Sequence, residues 1–178
     1  MKRLLLVLAL VLPPTAIAAT PTVVGSGTIG AYRFDQPRAR AVDVFGPPTY
    51  SRDTIGKLNL PQADTKQCGT VWRSLELYIE YAGPCASPGR ARRAVLEGAS
   101  WRTREGLRVG DTVTKLRRLY RGARKTTPNT AALFDLGVTL RGVEWDLRRA
   151  RPASSVIVVT RGTRVVAFEL RLSALRSG

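Results

Sequence analysis

The feature that most limits what this chain can fold into is a pattern that occurs twice, about 75 residues apart. Thr28 falls on Thr103, Arg33 on Arg108, Phe34 on Val109, Val44 on Leu119 and Phe45 on Tyr120. Each copy runs from a short extended segment through a turn into a helix that ends on an aromatic residue. A glycine-containing break follows, Gly46-Pro47-Pro48 in one copy and Gly122 in the other. In the second copy Asp111 or Thr112 can cap the helix, and Val113, Leu116, Leu119 and Tyr120 share one face at helical spacing. In the first, Pro37 suits the first turn, where no amide donor is needed, and Pro47 and Pro48 stop the helix.

Alternating segments after each helix predict strands. They lie at about Gly69 to Arg73, Leu75 to Tyr81 and Arg92 to Glu97, then at Val143 to Leu147, Ser155 to Thr160 and Arg164 to Leu172. Arg161-Gly162-Thr163 turns the last hairpin. Ala132 to Thr139 reads as a weaker extra strand, and Pro61 to Thr65 and Arg124 to Thr130 as loops. Neither half has enough chain to be very stable alone, so the two are expected to share a core. The expected fold class is α+β: two tandem helix-plus-antiparallel-sheet repeats packed as one unit, 19–98 and 99–178, behind a signal peptide at 1–18.

Alternation also divides the sheet faces. Leu75, Leu77, Ile79 and Tyr81 share one face, and Val166, Phe168, Leu170 and Leu172 another, both expected to lie under the helices. Glu76, Tyr78, Glu80, Glu169 and Arg171 point the other way and predict a broad polar outer surface.

The first 18 residues have the order of a secretory signal. Lys2 and Arg3 precede the apolar run Leu4 to Leu12, Pro13 and Pro14 break it, and Ala16-Ile17-Ala18 offers a small-x-small cleavage site. The run is too short to cross a bilayer, and no other segment is long and apolar enough. The expected location is therefore secreted or extracytoplasmic. In that setting the two cysteines, Cys68 and Cys85, are expected to form one disulfide.

The chain has no histidine, which removes Ser-His-Asp and Cys-His catalysis and His-ligated zinc. Glu76 and Glu80 lie about 13 Å apart by strand rise, too far for a carboxylate pair on one glycosidic bond. Glu144 and Asp146 flank Trp145 at about 7 Å and read as a solvated sheet face. Gly25-Ser-Gly-Thr-Ile-Gly30 matches a dinucleotide fingerprint in letters only, with no strand before it. No S-x-x-K motif or calcium-loop spacing occurs. The expectation is a protein without catalysis, metal or cofactor.

Charge supplies a partner class. Of 178 residues 29 are Lys or Arg and 13 are Asp or Glu. After loss of Lys2 and Arg3, residues 19–98 carry ten basic and seven acidic side chains, and residues 99–178 seventeen and six. The field favours polyanions, which outside a cell are anionic lipids, wall polymers or acidic glycans rather than nucleic acid. Arg makes up 24 of the 29 basic residues, as GC-rich coding favours, so part of this charge has a compositional reading. The densest patch is Lys115, Arg117, Arg118, Arg121, Arg124 and Lys125. The first expectation of function is a secreted, non-enzymatic module that holds a protein partner on the outer sheet face. Its candidates are Tyr78, Glu80, Trp145, Arg148 and Arg171, since exposed aromatics beside arginine are the usual composition of an interface hot spot. Electrostatic attachment to anionic envelope polymers or lipids through the basic second repeat is the alternative.

Two repeats of this layout resemble the secreted β-lactamase-inhibitor proteins. The stretch Gly106 to Tyr120, Gly-Leu-Arg-Val-Gly-Asp-Thr-Val-Thr-Lys-Leu-Arg-Arg-Leu-Tyr, is similar to the helix start of the small lipoprotein of the outer-membrane barrel-assembly machinery. The resemblance implies a helix-on-sheet fold and a non-enzymatic binding role. The inhibitor family has a disulfide in each repeat, whereas only the first half here holds two cysteines. The lipidated N-terminal cysteine of the assembly lipoprotein is absent.

Overall fold

The computed structural model describes residues 23–25, 27–55, 66–126, 132–133, 138–139, 142–147 and 154–172. The signal segment, Arg148 and the loop expected at Pro61 to Thr65 lie outside them. Among the described residues the fold is α+β, with two α-helices and mostly sheet in one packed unit.

Chain order begins with β1 (Val23–Gly25), β2 (Thr28–Ile29) and β3 (Tyr32–Arg33), then α1 (Arg38–Phe45), β4 (Tyr50–Ile55), β5 (Lys66–Trp72), β6 (Leu77–Ala82) and β7 (Ala91–Leu96). It continues with β8 (Arg102–Thr103), α2 (Val113–Leu119), β9 (Arg124–Thr126), β10 (Ala132–Leu133), β11 (Val138–Thr139), β12 (Val143–Asp146), β13 (Ser154–Arg161) and β14 (Arg164–Leu172). The main sheet has eight strands in the order β4-β5-β6-β7-β14-β13-β12-β9. Four come from each half, and the two last strands meet at the centre, where Leu96 faces Phe168 and Arg93 faces Arg171. A smaller sheet, β3-β2-β1-β8, ties the halves a second time through the parallel β1–β8 pair.

Local chemistry explains both helices. Gly46, at φ 79° and ψ −175°, ends α1 in a positive-φ extended conformation that glycine adopts freely, so the helix stops one residue before the two prolines. In α2 the cap is Thr112, whose Oγ1 accepts from the Lys115 amide at 3.2 Å. Asp111 instead accepts from the Arg108 amide at 2.7 Å and pairs with Lys115 at 2.7 Å.

The helices share the main core with one sheet face. Phe45 of α1 packs edge-on against Tyr32, Trp72 and Trp101, with ring centroids 5.9, 5.6 and 6.4 Å away. The indoles of Trp72 and Trp101 both find a carbonyl: Trp72 Nε1 donates to Gly46 at 2.8 Å and Trp101 Nε1 to Leu75 at 2.6 Å. Leu77, Ile79, Tyr81, Leu96, Leu116, Val158, Phe168 and Leu170 complete this core. Cys68 and Cys85 are disulfide-bonded, as their context predicts.

Several expectations change. The strand expected from Leu75 begins at Leu77, because Arg73–Leu75 form a 3-10 turn and Glu76 turns left-handed at φ 47°. A bulge between Val159 and Thr160 shifts the alternation in β14. Val165 therefore joins the main core and Val166 packs on the other face. Arg124–Thr126, expected as loop, is the edge strand β9. The weak strand at Ala132 to Thr139 is the antiparallel pair β10–β11. Strand β4, whose Tyr-Ser-Arg-Asp-Thr-Ile has only Tyr50 and Ile55 as apolar members, carries too little pattern to be read beforehand.

Candidate functional site

Three regions hold the candidate residues, all placed by the eight-stranded sheet. The outer face is not the open polar surface that alternation predicts. Tyr50, Val71, Tyr78 and Val95 stand in one cross-strand row over β4 to β7. Val71, Tyr78 and Val95 join Val159 and Ala167 in a second apolar cluster, against which Tyr50 packs. Tyr78 is only 3% exposed, and burial raises its phenol far above the ordinary range. The sequence hides this because Tyr78 and Glu80 carry polar atoms while their neighbours in space come from other strands.

Beside the apolar row runs a ladder of paired polar groups. Tyr78 Oη donates to Glu80 Oε2 at 3.1 Å, and the Gln67 amide, its nitrogen turned toward Glu80, donates to Oε1 at 2.6 Å. Burial raises the Glu80 carboxyl above the usual range, against the hydrogen bond from Tyr78 and the charge of Arg93. Glu169, with 0% exposure, accepts from Arg93 Nε and from Arg171 Nε and Nη2, the latter two at 2.6 and 2.8 Å. Arg171 Nη2 also reaches Glu144 Oε1 at 3.0 Å. Burial alone would lower the Arg171 pKa, but Glu169 and Glu144 hold it above the usual value. These carboxylates and guanidiniums serve each other.

Of the five sheet-face candidates the structure brings together Tyr78, Glu80 and Arg171. Arg148 lies outside the described residues. Trp145 stands on the opposite face, because alternation in β12 turns Glu144 and Asp146 outward and the indole inward. It is 7% exposed, and its Nε1 donates to Thr160 Oγ1 at 3.1 Å.

The third region is the basic one. Arg117 lies over the Trp145 ring with Cζ 5.2 Å from the centroid. Arg118 and Arg121 are exposed at the end of α2, and the short turn after Tyr120 delivers Arg124 and Lys125 to the edge strand β9. Register sets Lys125 opposite Trp145 and Arg124 opposite Asp146, so the cations wrap both sides of the sheet edge. Lys115 is drawn off by Asp111, whose carboxyl is held low by Lys115 and the Arg108 amide despite its burial.

A cleft of about 210 Å³ opens at the other end of the sheet, over the Tyr50 to Val95 row. Arg73 covers the Tyr50 ring at 5.7 Å on one side, and Glu76 and Glu97 stand on the other. Sequence reasoning misses this cleft, since the turn at Glu76 that builds its rim carries no glycine or asparagine to announce it. Among the described residues no group of three acidic or cysteine side chains is placed to hold a metal, and no helix is long and apolar enough to cross a membrane. Comparison with protein-family models, curated proteins and solved structures gives no match.

Proposed function

We propose that this is an exported, non-enzymatic binding protein of two fused repeats that attaches to anionic envelope polymers or lipids through the α2–β9 edge. The observation that carries this reading is the gathering of five exposed cations, Arg117, Arg118, Arg121, Arg124 and Lys125, on one short stretch of helix, turn and edge strand. Two other cations of the second half, Arg171 and Lys115, are committed to Glu169 and Glu144 and to Asp111, so neither adds to this surface. The order of charged, apolar and small residues at 1–18 supports export, and the disulfide suits that compartment. Four strands from each half meeting at β7–β14 support the reading of two fused repeats.

Each basic residue held near an anionic surface contributes about 1 kcal/mol at moderate salt. Arg118, Arg121 and Lys125 are the residues to reverse, since Arg117 also packs on Trp145. Reversal of all three to Glu is expected to lower affinity for phosphatidylglycerol vesicles and for polyphosphate by about 100-fold or more. Affinity of the unaltered protein is expected to fall as salt rises. Unchanged affinity in the triple variant, or binding indifferent to salt, overturns the proposal. On the outer sheet face, the cleft between Tyr50 and Glu97 is the described feature that supports a protein partner.

A further inference from the structure

The cleft lies at the opposite end of the sheet from the basic edge and has the opposite chemistry. Its floor is the row Val71, Tyr78, Val95, one residue from each of β5, β6 and β7. This row is apolar except for the Tyr78 hydroxyl, which is turned toward Glu80. On the β4 side the rim is closed by Arg73 lying over Tyr50. On the β7 side it is made of two carboxylates. Glu76 is the one non-glycine residue with positive φ among the described residues, and its carbonyl accepts from the Glu97 amide at 2.9 Å. That bond sets the two glutamates side by side. Gly98 leaves room for the Glu76 carboxylate, since a Cβ there would stand 3.1 Å from Glu76 Oε2 and 3.0 Å from the Leu75 carbonyl.

Size and chemistry restrict the occupant. About 210 Å³ is below the roughly 300–1,000 Å³ of sites for drug-sized molecules, so a single small group fits. An apolar floor ending at two carboxylates suits a hydrocarbon stem with a positive head. We infer that the cleft takes one lysine side chain of a partner protein, with its methylenes on Val71, Tyr78 and Val95 and its ammonium at Glu76 and Glu97. Burial and the charge of Glu76 raise the Glu97 carboxyl above the ordinary range, with Arg161 pulling it down. A bound ammonium supplies a second cation there and completes the neutralisation of the pair. Arg73, on the far rim, disfavours the head group on that side and so sets the direction in which the side chain lies.

This site is independent of the anionic-surface reading, and its test contains no polyanion. N-acetyl-lysine methylamide is titrated into the full oxidised protein and followed by NMR at Tyr50, Val71, Tyr78 and Val95. The neutral analogue N-acetyl-norleucine methylamide and the acidic N-acetyl-glutamate methylamide are titrated in parallel. The lysine derivative is expected to shift these resonances and to bind about twofold to fivefold tighter than norleucine, the worth of one partly exposed ion pair. Glu76→Gln and Glu97→Gln, checked for unchanged backbone spectra, are expected to remove that preference. No shifts at the row, equal binding of norleucine, or tighter binding of the glutamate derivative through Arg73 each overturns the inference. The comparison of the three probes on the unaltered protein stands even where a variant fails to fold.

Discussion

Glu169 is the residue whose loss tests the packing of the sheet most directly. It has 0% exposure and takes hydrogen bonds from two guanidiniums, Arg93 and Arg171, on two central strands. In Glu169→Ala both cations stay, and their surroundings decide the cost. The Arg93 side chain is 15% exposed and has no second carboxylate within ion-pair distance among the described residues, so it bears most of the penalty. Arg171 is 30% exposed and keeps Glu144 at 3.0 Å, which softens its share. Removing one partner of a buried pair costs about 3–5 kcal/mol, and the retained Glu144 contact places this case near the lower end, at about 3 kcal/mol. With a urea m-value of about 2 kcal/mol/M, the midpoint falls by about 1.5 M. Urea unfolding followed by tryptophan fluorescence reads this, with Arg40→Ala as the control, since its partner Asp43 is exposed and the pair at 3.5 Å is worth about 1 kcal/mol or less. A drop below about 1 kcal/mol for Glu169→Ala refutes the claim that the buried ladder is held by its ion pairs.

Reduction of Cys68–Cys85, or its replacement by two serines, frees a loop with a separation of 17 residues and is expected to cost about 3 kcal/mol, seen as a fall in Tm of about 6–12 °C. No change on adding reductant, with both thiols shown to be free, counts against that. Leu116→Ala removes the fully buried anchor of α2 and is expected to cost about 2–5 kcal/mol in the same urea assay. For Glu97 the sign follows from its raised carboxyl pKa. The folded state favours the protonated form, so this group's contribution is fully present below the ordinary glutamate range and is lost as pH rises through the raised value. Glu97→Gln is therefore expected to be more stable than the unaltered protein at pH 7 and equal to it below about pH 4, by melting across that range. A variant less stable at pH 7 contradicts the assignment.

The sequence carried the parts of the fold that rest on local periodicity. Leu116 and Leu119 placed α2, Pro37 and the Pro47-Pro48 stop placed α1, and alternation placed β6 and β14. An isolated cysteine pair in an exported setting pointed to the disulfide. It failed where a few residues bend the pattern. The bulge at Val159/Thr160 reverses the faces of Val165 and Val166, and the single left-handed Glu76 moves the start of β6 by two residues. It failed differently at the site. Tyr78, Glu80 and Arg171 do share the outer face, but that face is neutralised by partners on other strands, Gln67, Arg93 and Glu144, which spacing along one strand cannot show. Trp145 was misplaced by a rule of composition, since alternation alone sets it opposite Glu144 and Asp146. The basic patch was legible because it is contiguous in sequence, from α2 into β9.

The position of the ladder has a structural consequence of its own. Arg93 belongs to the last strand of the first half, and Glu169 and Arg171 to the last strand of the second, so the ion pairs straddle the line where the halves join. Hydrophobic burial alone distinguishes registers of β7 on β14 weakly, because Leu96 and Ala94 meet an equally apolar Phe168 and Leu170. A slip of one residue along β14 turns Glu169 away from Arg93 and through the sheet toward the apolar side chains under the helices. Burying that carboxylate unpaired costs several kcal/mol, more than apolar packing in the slipped register can offset. The same slip would separate the basic edge at β9 from the cleft at β4–β7 by a different span, since both are fixed to the sheet on either side of the seam. The buried ladder therefore contributes less as a source of stability than as the element that fixes one register, and through it the placement of two oppositely charged surfaces at the two ends of one sheet.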